Sequence, residues 1–342
     1  MIVLGAGGIV NDAHLPAYRK AGILVAGIYD VVAEKARATA EKFGIPRVFE
    51  TLGEAVASDP ARTIFDVAVP ASALGAVIEA LPNGAAVLLQ KPFGVDLDQA
   101  RQLLAQCQRK RLRAAVNFQL RFAPCIAAAR ALIEQGAIGA VHDFETRVTV
   151  YTPWHLWPFL QGLPRVEIVY HSIHYIDLVR SFFGEPRGVY AKTTRHPAYP
   201  NLAATRTQMI LDYGDEARAS ISTNHGHNFG RKYQESFVKW EGTTGALRAR
   251  LGVLLDYPAG ESDALEICRL DAAGRAGAWE SVPLQGNWFP DGFIGVMASV
   301  QRFAAGAAET MPTNVEDAFH TMAVVEAAYS SSQYGASPIP QK

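Results

Sequence analysis

Through about residue 118, apolar strand-like runs alternate with stretches of helical spacing, as in a parallel sheet covered on both faces. The strand runs are Ile2–Leu4, Ile23–Tyr29, Ile64–Val69, Ala85–Leu89 and Arg113–Phe118. Helical spacing falls at Ile9–Ala21, Val31–Phe43, Leu52–Ser58, Ser72–Leu81 and Leu97–Lys110. With right-handed crossovers, this predicts a doubly wound parallel sheet. The rhythm then changes. Cys125–Gln135 reads as a helix, Val141–Tyr151 alternates as a strand, and Val166–Phe183 is helical up to Gly184 and Pro186. Six strand-like runs follow at Val189–Arg195, Thr205–Asp212, Ala217–Asn224, Glu235–Trp240, Ala246–Arg250 and Ala264–Leu270. Gly, Asp and Pro turns separate them, so one open, largely antiparallel sheet is expected. Helical spacing returns at Phe293–Ala305 and Val315–Ser331, with Thr313 or Asn314 as the cap of the last helix. The expected fold is α/β with two domains: residues 1–118, and residues 119–342 with a final helix that packs back on the first.

The chain of 342 residues is 49% hydrophobic and 19% charged, enough for two cores. Lysine and arginine number 32 against 33 acidic residues, a net charge of -1, which excludes nucleic acid and anionic membranes as natural partners. Small neutral substrates fit better. The three cysteines, Cys107, Cys125 and Cys268, are odd in number and widely spaced, matching neither a disulfide framework nor a zinc site. No apolar run is long enough to span a bilayer, and the N-terminus enters its first strand without a signal-type segment, so a cytoplasmic location is expected.

Gly5-Ala6-Gly7-Gly8-Ile9-Val10 follows a strand and opens a helix. There, glycines let the backbone approach a pyrophosphate and the helix start offers unpaired N–H groups. The usual third small residue is Val10, which is expected to hold the helix further from the sheet. Asp30 closes the second strand, where a carboxylate accepts hydrogen bonds from ribose hydroxyls and repels a 2'-phosphate; NAD is therefore expected over NADP. Val69-Pro70 and Gln90-Lys91-Pro92 end later strands and are expected to line the same crevice.

On a helix spanning Val166–Phe183, Tyr170, His174 and Asp177 share a face at i, i+4 and i+7, and His171 lies a quarter-turn away. Oxidation of an alcohol needs a base as hydride leaves carbon, a task suited to the imidazole of His174. Lys91 is expected to place a cation beside the developing alkoxide. His225-Gly226-His227 sets two imidazoles on one strand face, but no carboxylate or cysteine nearby completes a ligand set, so no metal is expected.

In this order the motifs resemble the glucose-fructose oxidoreductase and inositol dehydrogenase (Gfo/Idh/MocA) family. The glycine turn, Gln90-Lys91-Pro92, Asn117 to Pro124 with Arg121, Ile138-Gly139, the His174/Asp177 helix with Gly184, and Asn314-Val315-Glu316-Asp317-Ala318 carry the likeness across nearly the whole chain. The resemblance implies an N-terminal Rossmann domain, a C-terminal α/β domain whose open sheet forms a homodimer or homotetramer, and NAD(P)-dependent chemistry on sugars or cyclitols. It carries catalytic roles onto Lys91 and His174. Four positions depart from the family pattern: Gln90 replaces a glutamate, Leu74 a histidine and Tyr170 a frequent catalytic aspartate, while Val10 crowds the turn. Tyr170 is expected to orient the substrate. Asn117, Arg121, Trp154, His155, His171 and Asp177 are the expected substrate contacts. Two competing functions use the same fold: cofactor-assisted cleavage of a glycosidic bond, and non-catalytic sensing of a sugar or nucleotide.

Overall fold

The computed structural model describes residues 1–335. They form two compact units, Met1–Ala123 with Trp288–Met322, and Pro124–Asn287 with the chain from Ala323 on. The boundary expected at 118 left Gln119–Ala123 and Trp288–Asn314 in the second domain, whereas the structure assigns both segments to the first, together with the start of the final helix. The reason is burial: Phe293, Val296, Met297 and Val300 are sealed in one core with Val3, Val10 and Ile28. Of the final helix, only the part through Met322 belongs to that unit.

In the first unit β1 (Ile2–Leu4), β2 (Gly27–Tyr29), β3 (Ile64–Val67), β4 (Ala86–Leu89) and β5 (Arg113–Val116) run parallel in the order β2-β1-β3-β4-β5. Val48 makes a parallel bridge to Ile28, a vestigial strand outside β2. Counting it, the arrangement is doubly wound, with its topological switch between β1 and β3. β2 is shorter than its apolar run because Ile23 N–H donates to the Tyr18 carbonyl in the turn and Leu24 is exposed. The helices are α1 (Leu15–Lys20), α2 (Ala33–Phe43), α3 (Leu52–Val56), α4 (Leu74–Ala80) and α5 (Leu97–Arg109). Asp96 caps α5 by accepting from Gln99 N–H at 2.8 Å.

The second unit opens with α6 (Pro124–Glu134) and β6 (Val141–Thr149), followed by α7 (Ile173–Phe183). Its remaining strands are β7 (Gly188–Thr194), β8 (Arg206–Asp212), β9 (Arg218–Asn224), β10 (Glu235–Gly242), β11 (Gly245–Arg250), β12 (Ala264–Arg269) and β13 (Glu280–Val282). They form a sheet in the order β13-β12-β11-β10-β6-β9-β8-β7, antiparallel except where β6 meets β9. β13 was not apparent in the sequence, since its three residues are short and mostly exposed; pairing with β12 alone defines it. The helix expected from Val166 is not uniform. Ile168–Ser172 winds as a π turn and regular α geometry starts at Ile173. A π turn takes an extra residue and widens the helix at Tyr170 and His171. Tyr170 is half-buried, while His174 and Asp177 are buried.

The chain closes with α8 (Trp288–Ala304), interrupted by extended backbone at Phe289, and α9 (Val315–Tyr334). Asn314 caps α9, its Oδ1 accepting from Asp317 N–H at 2.9 Å. Among the described residues, no helix is long and apolar enough to cross a membrane.

Candidate functional site

Gly5 makes the turn after β1 possible. Its φ is 115°, and a Cβ there would lie 2.3 Å from the Ala68 carbonyl oxygen, so β1 can leave the sheet against the end of β3 only without a side chain. Gly7 differs: a Cβ added there meets nothing within 4 Å, so its bare backbone faces open space rather than packing. Asp30 braces the turn. Ala6 N–H donates to its Oδ2 at 2.7 Å and Val32 N–H to its Oδ1 at 2.8 Å. A groove of about 320 Å³ runs along Ala6, Gly7, Gly8 and Asn11 on one side and Lys35, Thr39 and Lys42 of α2 on the other. Open glycine backbone and a neighbouring groove fit a bound dinucleotide phosphate.

Val10 does not obstruct this crevice. It is fully buried, and the first turn of the following helix, Val10–His14, is π-helical, which gives the larger residue room beneath the turn. Gly5→Ala is expected to cost about 2–4 kcal/mol through the forced clash and the left-handed φ. Thermal denaturation measures it, and an unchanged Tm would show that the backbone has room to give.

The strand ends of this sheet bring most of the expected cofactor residues to one edge. Val69-Pro70 follows β3 and Gln90-Lys91-Pro92 follows β4, with Gln90 N–H donating to the Val67 carbonyl at 2.8 Å. Gln90 Oε1 in turn accepts from Lys91 N–H at 3.1 Å, which orients the backbone from which the lysine extends. Lys91 is half-buried, and burial pulls its ammonium down to about 8.

Asn117 and Arg121 are placed differently from the expectation that they touch substrate. Asn117 is completely buried, so it offers no surface to a ligand. Its Nδ2 lies 3.1 Å from His14 Nε2, His14 Nδ1 lies 2.7 Å from Asp66 Oδ2, and the Tyr18 hydroxyl donates to that same oxygen at 2.8 Å. This sealed network ties the helix after the glycine turn to β3 and to the end of β5. The sequence reading missed it, although Asp66 inside an apolar strand run was a visible signal. Arg121 donates to the Pro312 carbonyl at 2.8 Å and to Asp317 Oδ2 at 2.5 Å, clamping the approach to α9.

In the second unit the expected residues gather around the π turn. Tyr170 meets the Phe159 ring at 5.9 Å, and burial raises its phenol. The His171 ring lies 4.4 Å from that of His225, and Trp154 stands edge-on to His171 at 5.2 Å. Trp154 is buried with Leu160, Val166 and Leu202, so it packs this cluster rather than presenting an open face, whereas His155 is exposed. His225 is likewise internal, with Thr152 Oγ1 3.0 Å from its Nδ1, and His227 meets Phe229 at 5.5 Å. A further buried residue, Glu167, went unnoticed in the sequence; it accepts hydroxyls from Ser172, at 2.8 Å, and from Thr207. Burial would raise this carboxyl, but hydrogen bonds and charge from His225, with those of Thr207 and Ser172, outweigh it and hold it below the usual range.

Comparison with known proteins agrees with this arrangement. Residues 1–118 match the family model described as an oxidoreductase family with an NAD-binding Rossmann fold, and residues 126–248 match the GFO/IDH/MocA C-terminal domain. D-apiose dehydrogenase of Paraburkholderia graminis is 26% identical over 96% of this chain and 86% of its own length. Trans-1,2-dihydrobenzene-1,2-diol dehydrogenase of Xenopus tropicalis is 27% identical over 65% of this chain and 67% of its own. An oxidoreductase from Agrobacterium radiobacter, solved with NAD+, L-tartaric acid and magnesium, superposes with a TM-score of 0.80 at 22% identity, covering 98% of this chain and 96% of that one; it shares the fold. The chain belongs to the GFO/IDH/MocA family of oxidoreductases, with an NAD-binding Rossmann domain at its N-terminus.

Proposed function

We propose that this oxidoreductase transfers hydride between a nicotinamide and a hydroxyl-bearing carbon of a sugar, sugar derivative or cyclitol, using NAD in preference to NADP. The observation that carries the reading is Lys91: a half-buried lysine at the carboxyl edge of the dinucleotide sheet, whose ammonium is pulled to about 8. An ammonium held at that edge, still protonated near neutral pH, suits the polarising of an alcohol. When bound, the nicotinamide accepts or returns the hydride. Lys91 stabilises the developing alkoxide, His174 takes the hydroxyl proton, and Tyr170 orients the substrate. Asp30, its two oxygens braced by backbone N–H groups, is preorganised to accept ribose hydroxyls and to repel a 2'-phosphate. The sugar class rests on the family resemblance and on the dehydrogenase from P. graminis, whose name specifies D-apiose. A homo-oligomer formed through the open sheet of the second unit belongs to the same reading.

The test is a panel of sugars and polyols with NAD and NADP, followed by the absorbance of reduced nicotinamide. NAD-linked turnover on a polyhydroxylated substrate supports the reading, whereas tight cofactor binding with no turnover on any member refutes it. The pH dependence has a definite sign. Lys91 is protonated below about 8 and neutral above it, so kcat/KM for alcohol oxidation is expected to fall as pH rises through that value. A rate still climbing well past it would assign the base role to neutral Lys91.

A further inference from the structure

The second unit contains an acid–imidazole pair that hydride transfer, as described, leaves without a task. Glu167 is completely buried, just before the π turn. Ser172, at the far end of that turn, donates to its Oε1 at 2.8 Å, so one carboxylate holds both ends. Thr207 of β8 donates to Oε2 and is joined to Thr193 of β7 at 2.9 Å, fastening the carboxylate to the sheet. His225 Nε2 stands 3.6 Å from Oε1, and its ring meets that of His171 at 4.4 Å, tilted by 44°. Packing alone would be served at least as well by an apolar pair of the same volume, because burying a carboxylate costs several kcal/mol before its partners compensate.

We propose that Glu167 and His225 are positioning residues for the substrate. The carboxylate fastens the π turn that carries Tyr170 and His171 to the sheet, so that these two half-buried side chains meet a polyhydroxylated ligand in a fixed arrangement. The proposal rests on the hydride-transfer reading and adds the residues that shape its substrate side. The titratable groups facing Glu167 come from three directions: Tyr175 along its own helix, His225 from beyond β9, and Tyr329 from α9, with the Arg165–Glu326 pair behind it. Both phenols are raised, chiefly by burial and further by the charge of Glu167. Neither ionises near neutral pH.

Glu167→Gln keeps the shape and removes the charge. In this variant KM for the substrate found in the panel is expected to rise about tenfold with kcat within about threefold. Long-range 1H–15N spectra of the imidazoles at one pH, assigned with His171 and His225 variants, should show both ring resonances displaced in Glu167→Gln, because the carboxylate that anchors their surroundings has lost its charge. That measurement needs no substrate, so its failure is distinguishable from failure of the hydride-transfer reading, which shows as absence of turnover in the parent enzyme. A folded Glu167→Gln protein with parental imidazole resonances overturns the proposal, as does a drop in kcat with a parental KM. Should Glu167→Gln fail to fold, His225→Gln carries the test: a raised KM with near-parental kcat supports the proposal and a parental KM overturns it.

Discussion

Lys91→Met is expected to lower kcat by about 10³-fold while the NADH dissociation constant stays within about threefold, because the lost cation acts on charge that develops only in the transition state. Methionine keeps the length and apolar stem of the lysine in its half-buried setting and removes only the ammonium. Stopped-flow or steady-state turnover gives the first number and NADH fluorescence titration the second. His174→Gln is expected to cost about 10²–10⁴-fold, the usual range for removal of a positioned base. If the two residues serve one proton transfer, the double variant falls far short of the product of the single losses, since groups that act as a unit are not additive. Full multiplicativity would show that they serve independent steps. The decline of kcat/KM above pH about 8 should also vanish in Lys91→Met, since the group responsible for it is gone.

Asp66→Ala is expected to destabilise the first unit by about 3–5 kcal/mol, which in a protein of this size lowers Tm by about 10 °C. The carboxylate is completely buried inside β3, and its Oδ2 receives both His14 and the Tyr18 hydroxyl. Truncation leaves two donors facing a cavity that cannot hydrate them fully, and each orphaned donor costs about 1–3 kcal/mol. Tyr18→Phe removes one donor and leaves the His14 contact, so its cost should be nearer 1 kcal/mol. NADH affinity should weaken in Asp66→Ala, because His14 ends the π turn that begins at Val10 behind the glycines. Denaturation curves for the two variants check the ratio; an Asp66→Ala protein as stable as the parent would show that the network contributes nothing net.

Much of the dinucleotide edge was legible in the chain. Gly5 and Asp30 act through local backbone requirements, a left-handed turn and a strand end, and such requirements leave a mark in sequence. Lys91 was readable because an apolar run fixes where a strand stops, and residues at the carboxyl ends of parallel strands share one edge. His14 and Asp66 were not readable as partners. They are 52 residues apart, and no periodicity reports that two buried polar groups have found one another. The π turn was unreadable for a related reason: the apolar spacing of Val166–Phe183 suits an α-helix, and the widened turn shows itself only where Glu167 grips Ser172.

Burial explains the remaining differences. Asn117 and Trp154 carry side chains suited to sugars, yet both lie inside, with no open face or nearly none. Val10 looked obstructive beside the glycines, but the widened turn beneath it takes the extra volume into the core. Local patterning by itself determined the two-sheet α/β plan, the glycine turn, the aspartate that closes the second strand and the strand-end lysine, because backbone geometry and alternation of apolar residues are set by near neighbours. Tertiary structure alone decided the membership of Trp288–Asn314, the sealed His14–Asp66–Asn117 network and the Glu167–His225 pair. Those depend on which distant groups exclude water together, a property that no short stretch of chain possesses.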